Sequence, residues 1–111
     1  MKYVIVIYSN DPENVWNAFR LANMCLAHDE DVTVFLLGQG VESSSIKSMK
    51  FDIEEQMQNF EDHGGKLIGC TVCCDIRKYI MPELEHDLRC TMGSMMDLYG
   101  LIKEGDKIIT F

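Results

Sequence analysis

Apolar residues in this chain come as short continuous runs that alternate with longer stretches in which they return every three or four positions. The first run, Lys2-Tyr3-Val4-Ile5-Val6-Ile7-Tyr8, lacks polar alternation, which predicts a strand covered on both faces. It stops at Ser9-Asn10-Asp11-Pro12, where Asp11 is a natural N-cap and Pro12 falls at the first helical position. Val15, Ala18, Phe19, Ala22, Cys25 and Leu26 then form one helical stripe, ended by the polar run His28-Asp29-Glu30-Asp31. A second β-rich run, Val32 to Leu37, closes at Gly38-Gln39-Gly40. The polar stretch around Ser43 to Ser45 leads into a predicted helix of about 15 residues. That helix carries Ile46, Met49, Ile53, Met57 and Phe60, and His63-Gly64-Gly65 stops it.

Lys66 to Cys70 reads as a third strand, followed by a short helix from Thr71 to about Tyr79 that Met81-Pro82 breaks. Leu88 to Thr91 is a candidate fourth strand. Ser94 caps a last helix with Met95, Leu98 and Leu101/Ile102 on one stripe, and Gly105 ends it. Lys107 to Phe111 is the closing strand. Strands alternating with helices imply right-handed crossovers. The fold class that follows is α/β, a single domain over residues 1–111 built as a three-layer sandwich around a mainly parallel five-stranded sheet.

Composition narrows the function. A length of 111 residues allows one core, and 47% hydrophobic with 25% charged residues is an ordinary globular balance. The formal net charge of −8, from 18 acidic and 10 basic residues, opposes direct nucleic-acid binding. No apolar run is long enough to span a bilayer, and none has the flanks of a signal peptide, so the expected location is the cytoplasm.

In a reducing compartment, five cysteines (Cys25, Cys70, Cys73, Cys74, Cys90) point to chemistry or metal more than to structural disulfides. Open parallel sheets gather ligands outside the carboxyl ends of their strands. Three segments end there: Ser9-Asn10-Asp11, Gly38-Gln39-Gly40, and Cys70-Thr71-Val72-Cys73-Cys74. The last also opens a helix, where exposed N–H groups favour a thiolate and lower its pKa. Arg77 and Lys78 add positive charge farther along. Five readings compete: cysteines buried as small hydrophobes, a Cys70/Cys73 dithiol redox pair, a zinc site from Cys70, Cys73, Cys90 and His63, an iron–sulfur cluster, and a persulfide-carrying thiolate.

The resemblance that bears on this choice covers nearly the whole chain. Its pieces are Ser9-Asn10-Asp11-Pro12, Val15 to Ala22, Val34-Phe35-Leu36-Leu37-Gly38-Gln39-Gly40-Val41-Glu42, Gly65 to Cys73, Gly93-Ser94-Met95-Met96-Asp97-Leu98, and Gly105 to Phe111. In order and spacing these resemble the DsrE/DsrF-like (YchN-like) family of small sulfur-relay proteins. The resemblance implies a flavodoxin-like sandwich assembling into dimers, trimers or hexamers. It also implies a persulfide-carrying cysteine at the end of the third strand, the place of Cys70, ahead of Arg77-Lys78 where the family often has Arg-Gly. The expected function is acceptance and onward transfer of persulfide sulfur between donor and acceptor proteins, with no metal or other cofactor. Cys70 would be the acceptor and Cys73 or Cys74 a resolving or receiving thiol. Ser9, Asn10, Asp11, Gly38, Gln39, Gly40 and Thr71 would surround the substrate, Thr71 either bonding an anion or capping the helix. The alternatives are a non-catalytic assembly module on the same fold and a C-x-x-C oxidoreductase.

Other signals have plainer readings. Gly38-Gln39-Gly40 lacks the third glycine of a dinucleotide fingerprint and reads as a strand-to-helix turn. His28, His63 and His86 read as solvated surface groups. Met92, Met95 and Met96 could ligate Cu(I), but fit a flexible core or a subunit interface better. Trp16 and Tyr99 are candidates for packing between subunits.

Overall fold

The computed structural model describes residues 1–83 and 90–111. Five strands, β1 (Lys2–Ile7), β2 (Asp31–Leu36), β3 (Lys66–Cys70), β4 (Thr91–Gly93) and β5 (Lys107–Thr110), form one sheet in the order β4-β3-β2-β1-β5. Every pairing is parallel, in registers such as Val4↔Thr33, Thr33↔Lys66 and Cys70↔Gly93. The chain therefore steps outward from β1 to β4 and then crosses back to place β5 on the far side of β1. The layers are those the sequence predicts, though flavodoxin's strand order is 2-1-3-4-5. Cys70 sits at the carboxyl edge as expected, beside β4 and away from the β1/β5 reversal.

Helix α1 (Pro12–Ala27) starts as its sequence dictates: the Asp11 carboxylate accepts the Asn14 N–H at 3.0 Å with Pro12 in the first turn. Its stripe of Val15, Ala18, Phe19, Ala22 and Cys25 is buried. Helix α2 (Ile53–Asp62) lies beside it, and the Phe19 and Phe60 rings meet edge-on, 5.8 Å apart. Helix α4 (Met95–Glu104) packs on β1 and β4 and buries Leu98. Ser94 and Asp97 form a reciprocal capping box at its start, and the Ser94 N–H and hydroxyl hold the Asp97 carboxyl below the usual carboxylate range. Within α4, an alanine Cβ at Gly100 would meet nothing within 4 Å. Gly100→Ala is therefore expected to stabilise the chain by about 0.5–1 kcal/mol, read as a higher denaturant midpoint at unchanged slope.

Several boundaries differ from expectation. The long helix predicted after Ser45 is two pieces, a 3-10 stretch over Gly38–Ser45 and then α2, with residues 46–52 non-helical between them. The Ser48 hydroxyl accepts N–H bonds from Lys50 (3.3 Å) and Phe51 (3.1 Å), and Asp52 caps the next helix afresh. Those local bonds offer the backbone an alternative to the helical ladder. Met49 is consequently outside the core stripe and fully exposed. Helix α3 (Thr71–Arg77) ends two residues early. The fourth strand lies at Thr91–Gly93, and Leu88 and Arg89 of the predicted strand lie outside the described residues, as does His86.

Candidate functional site

Strand β3 ends where α3 begins, so Cys70 is both the last strand residue and the N-cap of the helix. An N-cap side chain and the side chain three residues later lie against each other, as in a capping box. At Cys70 and Cys73 this brings two thiols close enough to influence each other's ionisation. Cys70 is 4% exposed and Cys73 is part-exposed. Cys74 turns into the core. None of the cysteines among the described residues is in a disulfide. The expectation of an open Cys70 thiolate is not met within one chain: the strand that delivers the residue also buries it.

The loops after β1 and β2 complete the site. The Gly38 N–H points at the Cys73 sulfur, 3.2 Å away, from a left-handed backbone at φ +55°. Arg77 donates from Nε to Glu42 Oε2 at 2.7 Å and from Nη1 to the Cys73 carbonyl at 3.0 Å. Asn10 Nδ2 donates to the other Glu42 oxygen at 3.3 Å. Asn10, Glu42, Arg77, Cys73, Cys70 and Gly38 thus form one connected cluster.

The remaining predicted site residues are used locally. The Ser9 hydroxyl accepts the Asp11 N–H at 3.0 Å, and Asp11 is spent on capping α1. Gln39 is exposed and Gly40 is buried against β1. Gly38-Gln39-Gly40 is the turn opening the 3-10 stretch. Thr71 neither caps α3 nor faces the thiols; its hydroxyl donates to the Gly93 carbonyl at 3.1 Å and ties α3 to β4. His63 Nδ1 lies 2.8 Å from the Asn59 carbonyl at the end of α2. Among the described residues no three His, Cys, Asp or Glu side chains are grouped to hold a metal ion. Trp16 finds its partners inside the chain, with Phe51 at 5.2 Å and the Arg20 guanidinium 4.4 Å over its ring, while Tyr99 stays exposed.

The electrostatics correct a second expectation. Arg77 is not a free cation facing the sulfurs, because Glu42 takes its Nε–H. That bond holds the Glu42 carboxyl below the usual carboxylate range against a smaller opposing push from burial. Lys78 lies over the Tyr79 ring, 5.2 Å from its centre. Burial first, then the Cys70 contact, push the Cys73 thiol up, against smaller lowering by the Gly38 N–H and Arg77. Burial likewise raises Cys74. The sign is definite: a raised thiol pKa leaves less thiolate at neutral pH. Alkylation of Cys73 by iodoacetamide is expected to be slow at pH 7 and to reach half its maximal rate above the free-thiol value of about 8.5. A midpoint below that value, read by peptide mass spectrometry, would contradict the description. The folded chain also keeps these protons where the unfolded chain releases them, so stability falls as pH climbs above the ordinary thiol value.

Glu42 is the site residue that sequence reasoning passed over. Its partner lies 35 positions away, and no local spacing reports a pair that only the packing of the 3-10 stretch against α3 brings together.

With the geometry established, comparison with known proteins adds three results. A family model described as the DsrE/DsrF-like family matches residues 1–111. The uncharacterized protein MJ0989 of Methanocaldococcus jannaschii is 26% identical over 116 residues, with both chains covered in full. Among solved structures, the YchN protein of E. coli superposes with a TM-score of 0.80 at 17% identity, covering 100% of both chains. BT1422 of Bacteroides thetaiotaomicron, a conserved protein of unknown function, does so at 0.75 and 18%, covering 99% of this chain and 94% of its own. Those two identities speak to the fold alone, and the fold agrees with what the whole-length family match states directly: this chain belongs to the DsrE/DsrF-like family.

Proposed function

We propose that this chain is a sulfur-relay protein that accepts persulfide sulfur on the Cys70/Cys73 pair, holds it at Cys70 and passes it on. The observation that carries the reading is the pair itself, two neighbouring free thiols at the carboxyl edge of the sheet, with a backbone N–H aimed at one of the sulfurs. The family match supports it. The chemistry is exchange at divalent sulfur: a thiolate attacks the outer sulfur of a donor persulfide, a new S–S bond forms, and the donor thiolate leaves. No metal, nucleotide or general base enters the step. Donor and acceptor are proteins or small thiols, and the net charge of −8 favours basic partners over nucleic acid. Among the described residues no helix is long and apolar enough to cross a membrane, and we place the protein in the cytoplasm.

The working unit in this proposal is a homo-oligomer, a dimer, trimer or hexamer. Met95, Tyr99 and Ile102 stand on one face of α4, and each is exposed in the single chain. The contact between the two thiols also favours a second reading, a dithiol–disulfide oxidoreductase. Intact-mass measurement after exposure to glutathione persulfide separates the possibilities. A gain of about 32 Da is expected for the carrier. A loss of about 2 Da across the pair would favour the oxidoreductase, and an unchanged mass would favour an assembly module without chemistry.

A further inference from the structure

We infer that sulfur first bonds to Cys73 and is then handed inward to Cys70, so that Cys73 is the receiving thiol and Cys70 the holding one. This rests on the relay reading above and concerns the order in which its two thiols act. Exchange at sulfur needs the attacking, transferred and leaving atoms nearly in line, so the receiving sulfur must present an open side to an incoming donor. Cys70 is 4% exposed at the end of a buried strand and presents none. Cys73, one helical turn later, is part-exposed and has its sulfur in contact with Cys70.

The neighbours of Cys73 suit a sulfur that is first nucleophile and then leaving group. The Gly38 N–H, at 3.2 Å, stabilises negative charge on that atom in both roles. Arg77 holds the Cys73 carbonyl at 3.0 Å and is itself braced by Glu42, which fixes where the first turn of α3 presents the thiol. Cys74 lies on the core side of the same turn.

Both steps balance. In the first, the Cys73 thiolate attacks the outer sulfur of R–S–SH; the donor S–S bond breaks, Cys73–S–SH forms and R–S⁻ leaves. In the second, Cys70 attacks that outer sulfur, the Cys73 S–S bond breaks, and the Cys70 proton passes to the departing Cys73 sulfur beside it. The products are Cys70–S–SH and Cys73–SH, with no change in oxidation level. The burial that keeps donors from Cys70 also keeps acceptors from it, so discharge retraces the path: the sulfur returns to Cys73, where an acceptor thiol takes it. The groups facing Cys73 are Cys70 and Cys74 from its own turn, Arg77 from the next, and Glu42 from the 3-10 stretch, already paired with Arg77. None of them supplies a free cation, so receipt is expected to quicken as pH rises from 7.

The test is a time course with the reduced full-length chain and glutathione persulfide, quenched by alkylation, with the adduct placed by fragmenting the tryptic peptide Leu67–Arg77. The wild-type chain is expected to show the adduct on Cys73 first and on Cys70 later. Cys70→Ala should load Cys73 at no less than the wild-type initial rate, since the Cys70 contact that pushes the Cys73 thiol up is gone, and should retain the adduct there. Cys73→Ser should load Cys70 about tenfold or more slowly, since access then waits on local opening. Cys73→Ala serves as a second variant, and circular dichroism confirms that each is folded. Wild-type-rate loading of Cys70 in the folded Cys73 variants would overturn the order proposed here and leave the relay reading standing. Sulfide release with a Cys70–Cys73 disulfide would also overturn the handover, because Cys70 would then be attacking the inner sulfur. No adduct in any of the proteins would remove the relay reading and this inference together.

Discussion

Replacing Cys70 by alanine and Cys73 by serine in the same chain is expected to reduce persulfide uptake in the segment Leu67–Arg77 to background, while the sheet and α1–α2 core remain folded. Either thiol alone leaves a sulfur at the site, so the single variants retain partial uptake and the loss is complete only when both are gone. Cys74 does not substitute, since it packs in the core with its thiol pushed up by burial. The cost to stability is modest. Removing one buried sulfur costs about 1 kcal/mol, and the serine hydroxyl replaces a thiol at a part-exposed position. Uptake measured by mass spectrometry beside a thermal melt separates the two effects. Undiminished uptake in the folded double variant, placed on Cys74, Cys90 or Cys25, would show that the pair is not the site.

The largest structural effect is expected at Gly40. A Cβ there would stand 1.8 Å from the Ile7 carbonyl oxygen and 2.6 Å from the Ile7 carbonyl carbon. Both are backbone atoms at the end of a central strand, so no side-chain rotation relieves the overlap. The 3-10 stretch would have to lift away, straining the Gly40 N–H to Leu37 carbonyl bond and the Leu37 N–H to Ile7 carbonyl bond, each 2.9 Å. Gly40→Ala is expected to cost about 2–3 kcal/mol, a fall of roughly 10–15 °C in Tm. At Gly38 a Cβ meets nothing within 4 Å, so Gly38→Ala costs only the left-handed backbone, about 1 kcal/mol. Equal effects at the two glycines in chemical denaturation would contradict this packing. Because Gly38 and Glu42 ride on the same stretch, Gly40→Ala should also slow sulfur uptake in the protein that remains folded.

The order of strands and helices was legible because each element carries its own signal. Asp11-Pro12 and Ser94 mark helix starts, the Val15 to Cys25 stripe marks a buried face, and unbroken β-branched runs mark strands buried on both sides. The broken helix after Ser45 was not legible from spacing alone. Ile46 and Met49 continue the apolar rhythm of Ile53, Met57 and Phe60, yet Ser48 and Asp52 supply local bonds that interrupt the helix. At the site, the placement of Cys70, Cys73 and Gly38 at one edge follows from strand polarity, which the sequence reveals. The Glu42–Arg77 pair depends on how the 3-10 stretch docks on α3, a tertiary contact without a local pattern, and the burial of Cys70 is likewise set by packing in the folded chain. The thiol pKa values illustrate the competition: a helix start argues for lowering, and desolvation in the folded chain outweighs it at Cys73 and Cys74.

The most direct measurement is a load-and-return experiment on the reduced full-length chain. The protein is exposed to glutathione persulfide, freed of excess reagent, weighed, and then offered a small acceptor thiol. The account requires a gain of about 32 Da on Cys70 or Cys73, followed by return to the starting mass as the acceptor gains one sulfur. A chain that never gains the mass, or that gains it only at Cys25, Cys74 or Cys90, would contradict the account.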